Sequence, residues 1–232
     1  MNVKLKLKKL AKEFDLKFDT KYSYKYLVCP AREITIRNFL CGCPDPLYIS
    51  HGNKLKRNRP KVLKKFLLSK DGKNDIKGPH GCVISKGDLK DEIGIVDKIE
   101  DRALRKETKK LYNRIKKKMG KSKRLTLIWK PKKKEKNIFN EILLHEFIHE
   151  LMNENRLRPK SWKWNEGLVT YLTNFLLGSL KRFEKKALVG KDKMWSIYAR
   201  YTYKWAKLFK GIEDPKQRKY TIVKKIKQAD NV

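Results

Sequence analysis

The amino-acid sequence predicts a mainly helical α+β protein, and three stretches carry that reading. Residues 95–119 place Ile99, Leu104, Leu111, Ile115 and Met119 as the main apolar positions among lysines, so a long amphipathic helix is expected, ended by Gly120. Arg124 to Trp129 is rich in β-branched, aliphatic and aromatic residues and reads as a strand, closed by Pro131 and a lysine run. Residues 138–153 are apolar on nearly every face, through Ile138, Phe139, Ile142, Leu143, Leu144, Phe147, Ile148, Leu151 and Met152. A helix apolar all round is a buried one, and Asn137 is its expected N-cap.

The remaining elements are read from shorter signals. Residues 3–18 begin with strand-like alternation of Val3, Leu5 and Leu7 before the pattern becomes ambiguous. Tyr24 to Val28 and Glu33 to Leu40 read as short strands about a turn at Pro30, and Val83 to Ser85 as another. Cys43 to Pro46 reads as a turn, Lys54 to Lys61 as a basic exposed segment, and Lys70 to Asp75 as a loop. Val62 to Leu68 reads as a short helix. After a basic loop over 156–164, helices are expected over Asn165 to Leu177, stopped by Gly178, and over about Met194 to Phe209. Lys219 to Lys227 reads as a short basic tail. A composition change near Asp91 divides the chain into an N-terminal, cysteine-containing extension over 1–90 and a second domain over 91–232.

Composition bounds the function. Of 232 residues 40% are apolar, enough for a core, but no run of about 18 apolar residues exists, so no membrane-spanning helix is expected. Met1 to Leu10 alternates lysine with aliphatic residues and lacks the continuous apolar stretch of a secretory signal, so a cytoplasmic protein is expected. Sixty Lys and Arg against 25 Asp and Glu give a net charge of +35, which attracts polyanions over long range. The excess is mostly lysine, spread over nearly every segment. That pattern suits a solvated surface and leaves nucleic acid open as a partner. Cys29, Cys41, Cys43 and Cys82 all fall in the first 82 residues, near His51 and His80. Inert buried thiols are the first reading; a second, structural zinc ion at Cys41-x-Cys43 with His80-x-Cys82, and a disulfide, are the alternatives.

The motif that carries chemistry is His145-Glu146-Phe147-Ile148-His149, inside the buried helix. Residues four apart lie on one helical face, one turn apart, so both imidazoles can reach one metal ion. The glutamate between them is placed to take a proton from water at that ion. Buried polar groups need partners, and a metal supplies one. Catalytic zinc usually takes three protein ligands and keeps one position open. No histidine follows the motif, and the metzincin glycine and third-histidine positions are Met152 and Asn155. The third ligand is therefore expected to be a carboxylate, with Glu166 the best candidate, 17 positions after His149 at the start of the next helix.

The sequence from Trp164 to Tyr171 begins Trp-Asn-Glu-Gly. Together with the His-Glu-x-x-His motif it resembles the gluzincin class of zinc metallopeptidases, which includes aminopeptidase-N-like and thermolysin-like enzymes and the compact minigluzincins. The order of long helix, strand, motif helix and glutamate helix over residues 95–178 is similar to their zincin-like core. The resemblance implies that His145, His149 and Glu166 bind one Zn²⁺, that Glu146 is the general base, and that Thr170 is the polar partner of a zinc-binding histidine. It also implies an oxyanion donor from the C-terminal part, where tyrosine is the available type: Tyr198, Tyr201, Tyr203 or Tyr220, with Tyr201 favoured. The expected activity is zinc-dependent hydrolysis of a peptide or protein substrate. The G-x-M-E-N exopeptidase motif of aminopeptidase-N-like enzymes is absent before His145, so an endopeptidase is expected. The strand at Arg124 to Trp129 is expected to be the sheet edge that pairs with the substrate, with Trp162 and Trp164 as cleft walls. Three other readings stay open: a protease recruited to nucleic acid through its basic surface, a non-catalytic zinc- or nucleic-acid-binding protein, and an enzyme kept latent by the segment from Gly211 to Val232. The SprT-like proteases, which cleave proteins bound to nucleic acid, use a histidine third ligand, which this chain lacks.

Overall fold

The computed structural model describes residues 2–19, 24–41, 59–77, 81–131, 136–180 and 193–230. By packing, the chain divides into a unit of residues 22–146 and a unit of residues 1–21 with 147–232, so the first 90 residues contribute to both. No helix among the described residues is long and apolar enough to cross a membrane.

The 22–146 unit is built on a three-stranded sheet in the order β1-β3-β2, with β1 at Tyr26–Cys29, β2 at Gly81–Ser85 and β3 at Arg124–Trp129. β1 runs parallel to β3, pairing Tyr26 with Thr126 through Cys29 with Trp129. β2 runs antiparallel, pairing Gly81 with Ile128 through Ser85 with Arg124. From Leu125 to Trp129 every residue of β3 is buried, as expected of a strand covered on both faces and paired on both sides. This corrects the expectation that β3 is the sheet edge: among the described residues β2 and β1 are the outer strands.

Helix α2 (Ala31–Cys41) occupies the stretch expected as a strand from Glu33 to Leu40. Ile34, Thr35 and Ile36 are β-branched, and with Phe39 and Leu40 they outweigh the single interruption at Arg37 and Asn38, which mimics a buried strand. Here every residue from Ile34 to Leu40 is buried, so the helix has no polar face to reveal its period. Its Arg37 forms two hydrogen bonds to Glu92, at 3.2 and 2.8 Å. The phenol of Tyr112 donates to the same carboxylate at 2.6 Å. Burial and the Glu92 charge hold Tyr112 well above its ordinary pKa, so it stays a donor.

Helix α3 (Arg59–Leu68) extends the predicted short helix, and α4 (Lys70–Lys77) replaces the expected loop. The Ser69 hydroxyl accepts from the Gly72 amide at 3.1 Å and starts α4. A Cβ at Gly72 would lie 2.2 Å from the Phe66 carbonyl oxygen, so the tight junction admits only glycine. The single helix expected over 95–119 is two, α5 (Lys86–Val96) and α6 (Arg102–Met119). Ser85 and Asp88 form a reciprocal capping box for α5, and Asp101 caps α6 through the Leu104 amide at 2.9 Å. Gly87 and Gly94 within α5 obscured its start.

The other unit gathers α1 (Val3–Glu13), the end of α7 (Lys136–Glu154), α8 (Trp162–Leu177), α9 (Lys193–Phe209) and α10 (Pro215–Asp230). α1 is a helix rather than the alternating strand expected. The Asn2 side chain caps it through the Leu5 amide, and Leu7, Leu10, Ala11 and Phe14 bury one helical stripe while Leu5 is 65% exposed. Phe14 meets Phe175 and Phe209 edge-on, with ring centres at 5.6 and 5.4 Å. The expected basic tail is α10, tied to the last residue of α1 by Arg218–Glu13 at 2.8 Å and to the turn after it by Lys219–Asp15 at 3.1 Å.

Candidate metal centre

Two helices present the site. In α7 the apolar enclosure begins at Leu143; Leu143, Leu144, Phe147, Ile148, Leu151 and Met152 are buried, whereas Ile138 is 44% exposed. The all-round burial expected from Ile138 thus holds only for the turns that carry the motif, and Asn137 lies inside the helix rather than capping it. α7 ends where Arg156 takes a left-handed backbone (φ 57°) and the Leu157 amide donates back to the Met152 carbonyl at 2.9 Å. This hydrogen-bonded stop reverses the chain, with buried Leu157 packing at the turn. α8 then starts at Trp162, one turn earlier than expected, and carries Asn165 and Glu166 in its first turns.

The first turns of α8 are held by α9. The Trp205 indole N–H donates to the Trp164 carbonyl at 2.9 Å and the Thr202 hydroxyl to the Gly167 carbonyl at 3.3 Å. A Cβ at Gly167 would lie 2.5 Å from the Tyr201 Cβ and 2.8 Å from its carbonyl carbon. The missing side chain is what lets the two helices approach. Trp164 is packed edge-on against Tyr201 and Trp205, with the Lys225 ammonium 4.4 Å from its ring centre.

The ligand-capable atoms of His145, His149 and Glu166 all lie within 4.8 Å of one another, the one such gathering of three among the described residues. His149 Nε2 stands 3.3 Å from Glu166 Oε1. His149 Nδ1 faces the Asn165 side-chain amide at 3.4 Å, and Asn165 is buried. Two imidazoles and one carboxylate are the donor set of a three-ligand zinc site. With a metal on Nε2 the imidazole proton sits on Nδ1, and the Asn165 amide turned over offers its oxygen there. The donors present therefore fit a divalent transition-metal ion.

Glu146 is buried, and its side chain lies against the backbone of Gly81, where a Cβ would come 2.6 Å from Glu146 Cγ and 2.8 Å from Oε1. Next along β2, burial pushes the Cys82 thiol up and the Glu146 carboxylate adds to the rise, against the pull of Arg37. Cys82 is thus a neutral neighbour of the carboxylate.

The structure places the other candidates as follows. Thr170 lies one turn after Glu166 on α8, with its backbone carbonyl accepting from the Asn174 side-chain amide at 2.8 Å. The Tyr201 ring packs on Trp164 at 5.1 Å under the Lys204 ammonium at 4.7 Å. Tyr203 and Tyr220 are 42% and 66% exposed, and the Tyr198 side chain lies outside the described residues. Trp162 is the half-buried first residue of α8. The structural zinc at Cys29, Cys41, Cys43 and Cys82 is not supported. Cys29 on β1 and Cys82 on β2 flank β3 on opposite sides, opposite Trp129 and Leu127, so two strand spacings, roughly 10 Å, separate them across the sheet and two residues along it. Burial, with Glu33 nearby, pushes the Cys29 thiol up to about 12, and Cys41 donates to the Asn38 carbonyl at 3.4 Å. Cys43, His51 and His80 lie outside the described residues.

Sequence reasoning missed Asn165, Gly81 and the Thr202–Trp205 brace. Only Asn165 had a local signal, as the polar residue directly before the expected ligand. No family model, curated protein or solved structure matches the chain.

Proposed function

We propose that this protein hydrolyses peptide bonds with zinc, as a gluzincin-type endopeptidase. The observation that supports it is the convergence of His145, His149 and Glu166 within 4.8 Å, with buried Glu146 on the same helix. His145, His149 and Glu166 would hold the zinc ion, which would supply a Lewis acid able to make water at that position more acidic. The Glu146 carboxylate takes the water's proton and returns it to the departing amine. Asn165 fixes the orientation of His149. Tyr201 is the proposed donor to the oxyanion, held by Trp164 and Lys204. β2 takes the part expected of β3. It is an outer strand among the described residues and begins at Gly81, beside the Glu146 side chain, so an extended peptide added along it passes the base.

The test combines metal content with hydrolysis of quenched fluorogenic peptides. The wild type should hold one zinc per chain, Glu166→Ala should lose most of it, and Glu146→Gln should keep it while losing hydrolysis. A chain that holds no zinc removes the metal-centre reading. A chain that holds zinc but cleaves no peptide is the non-catalytic zinc protein.

A further inference from the structure

Helix α10 carries a second feature that the metal centre does not use. It contains Lys216, Arg218, Lys219, Lys224, Lys225 and Lys227 against a single acid, Asp230. These bases divide by face. Arg218 and Lys219 are engaged by Glu13 and Asp15, Lys225 lies on the Trp164 ring, and Ile222 is fully buried. Those contacts fix which side of α10 faces inward. On the other side Lys216, Tyr220, Lys224 and Lys227 are exposed at positions i, i+4, i+8 and i+11, one continuous stripe. No ion pair joins these three lysines to an acid among the described residues. Tyr220 is 66% exposed, and with Val223, Lys224, Lys227 and Gln228 it lines an open depression of about 210 Å³.

We propose that this stripe binds single-stranded nucleic acid, the lysines contacting phosphates and Tyr220 stacking on a base. The lysine charge fits a polyanion, and an exposed ring among ammonium groups fits a chain whose base faces are open. A duplex hides those faces. An anionic membrane is the poorer fit, because a surface-bound helix inserts a free apolar face and that of α10 is committed to the protein through Ile222. The depression is smaller than the roughly 300–1,000 Å³ of small-molecule sites, so it suits one ring laid against the surface rather than an enclosed metabolite. The surface is independent of the metal-centre reading.

A chain of this charge binds any polyanion to some extent, so the experiment needs a charge-matched control. Binding of a labelled oligothymidylate and of a duplex of equal length is measured by fluorescence anisotropy across a salt series. The full chain is compared with a triple variant on α10 (K216E, K224E, K227E) and a triple variant on α6 (K106E, K110E, K117E). The α6 lysines are equally exposed but have no exposed aromatic residue among them. The α10 variant should lose at least tenfold in affinity for the oligothymidylate and flatten the log–log salt slope by about 2, the value for three phosphate contacts on a single strand. The α6 variant should lose much less. Tyr220→Ala should weaken the oligothymidylate about fivefold or more and leave the duplex unchanged. Glu166→Ala should bind as the wild type does. The Lys→Gln triple on α10 serves if charge reversal disturbs folding, with circular dichroism as the check. Equal losses in both triple variants, an inert Tyr220→Ala, or preference for duplex or phosphatidylserine vesicles would each overturn the proposal.

Discussion

Gly81 is where the smallest change in the chain has the most specific expected consequence. An alanine methyl there would sit 2.6 Å from Glu146 Cγ and 2.9 Å from Cδ. These atoms belong to a flexible side chain, so the fold can yield by rotating Glu146 aside. Gly81→Ala should therefore leave stability within about 1 kcal/mol and leave bound zinc in place. On the proposed mechanism it should still lower kcat at least tenfold, because the base no longer meets its proton. Metal content, urea unfolding and peptide hydrolysis on one preparation check all three. An unchanged kcat would show that the carboxylate works from some other position. The contrast with the motif shows what is legible in a sequence. His145, Glu146 and His149 follow from helical spacing alone, and Glu166 from counting how much chain a helix, a turn and a second helix require. Gly81 acts on Glu146 from 65 residues away, through a packing contact that no local pattern encodes.

Pairs of elements set the next level. α8 and α9 touch where Gly167 faces the backbone of Tyr201 and Thr202, and a methyl added there would lie 2.8 and 3.1 Å from main-chain atoms. Unlike Gly81, this neighbour cannot rotate away. Alanine gains about 1 kcal/mol of helix propensity over glycine, but overpacking against backbone costs about 1–3 kcal/mol or more and outweighs it. Gly167→Ala should lower stability by about 1–2 kcal/mol in urea unfolding and weaken zinc binding, since the displaced turn carries Glu166. In α2 the issue is charge. Replacing Arg37 by methionine leaves the Glu92 carboxylate buried with Tyr112 as its remaining hydrogen-bond donor in the network, at a cost of about 3–5 kcal/mol. The double variant Arg37→Met, Glu92→Leu should recover most of it, which a double-mutant cycle reads directly. The same arginine explains why α2 reads as a strand in the sequence. Arg37 and Asn38 interrupt the strand-like run only once, and they are buried like their neighbours, so polarity gives no period to follow. Where polar and apolar faces separate, as in α6 and α9, helices are legible. α2, buried on every face through residues that mimic a strand, and α5, with glycines inside it, are not.

At the scale of the whole molecule the surplus charge competes with the ion pairs it contains. At pH 7 the chain carries +35, and its exposed pairs, such as Lys64–Asp101 at 2.8 Å and Lys109–Asp97 at 2.7 Å, are short but solvent-screened. Salt weakens both the pairs and the repulsion among unmatched lysines. Exposed pairs contribute little individually, whereas 60 bases against 25 acids leave most lysines without a neutralising neighbour, so repulsion outweighs attraction. Raising NaCl from about 0.01 to about 0.1 M shortens the screening length from roughly 30 to roughly 10 Å, and the urea midpoint should rise over that interval. Acid sharpens the effect. The carboxylates of Asp97 and Asp101 are held below their ordinary pKa by hydrogen bonds from Lys109 and Lys64. The stability they contribute is therefore present above the ordinary carboxylate range and lost as pH falls through their lowered folded values. Below about pH 4 the remaining acids also neutralise, the net charge climbs, and the protein should unfold at lower urea in low salt than in high salt by a wider margin than at pH 7. A midpoint that falls with salt at pH 7 would mean that the pairs dominate and that the lysine excess is far better dispersed than its number suggests.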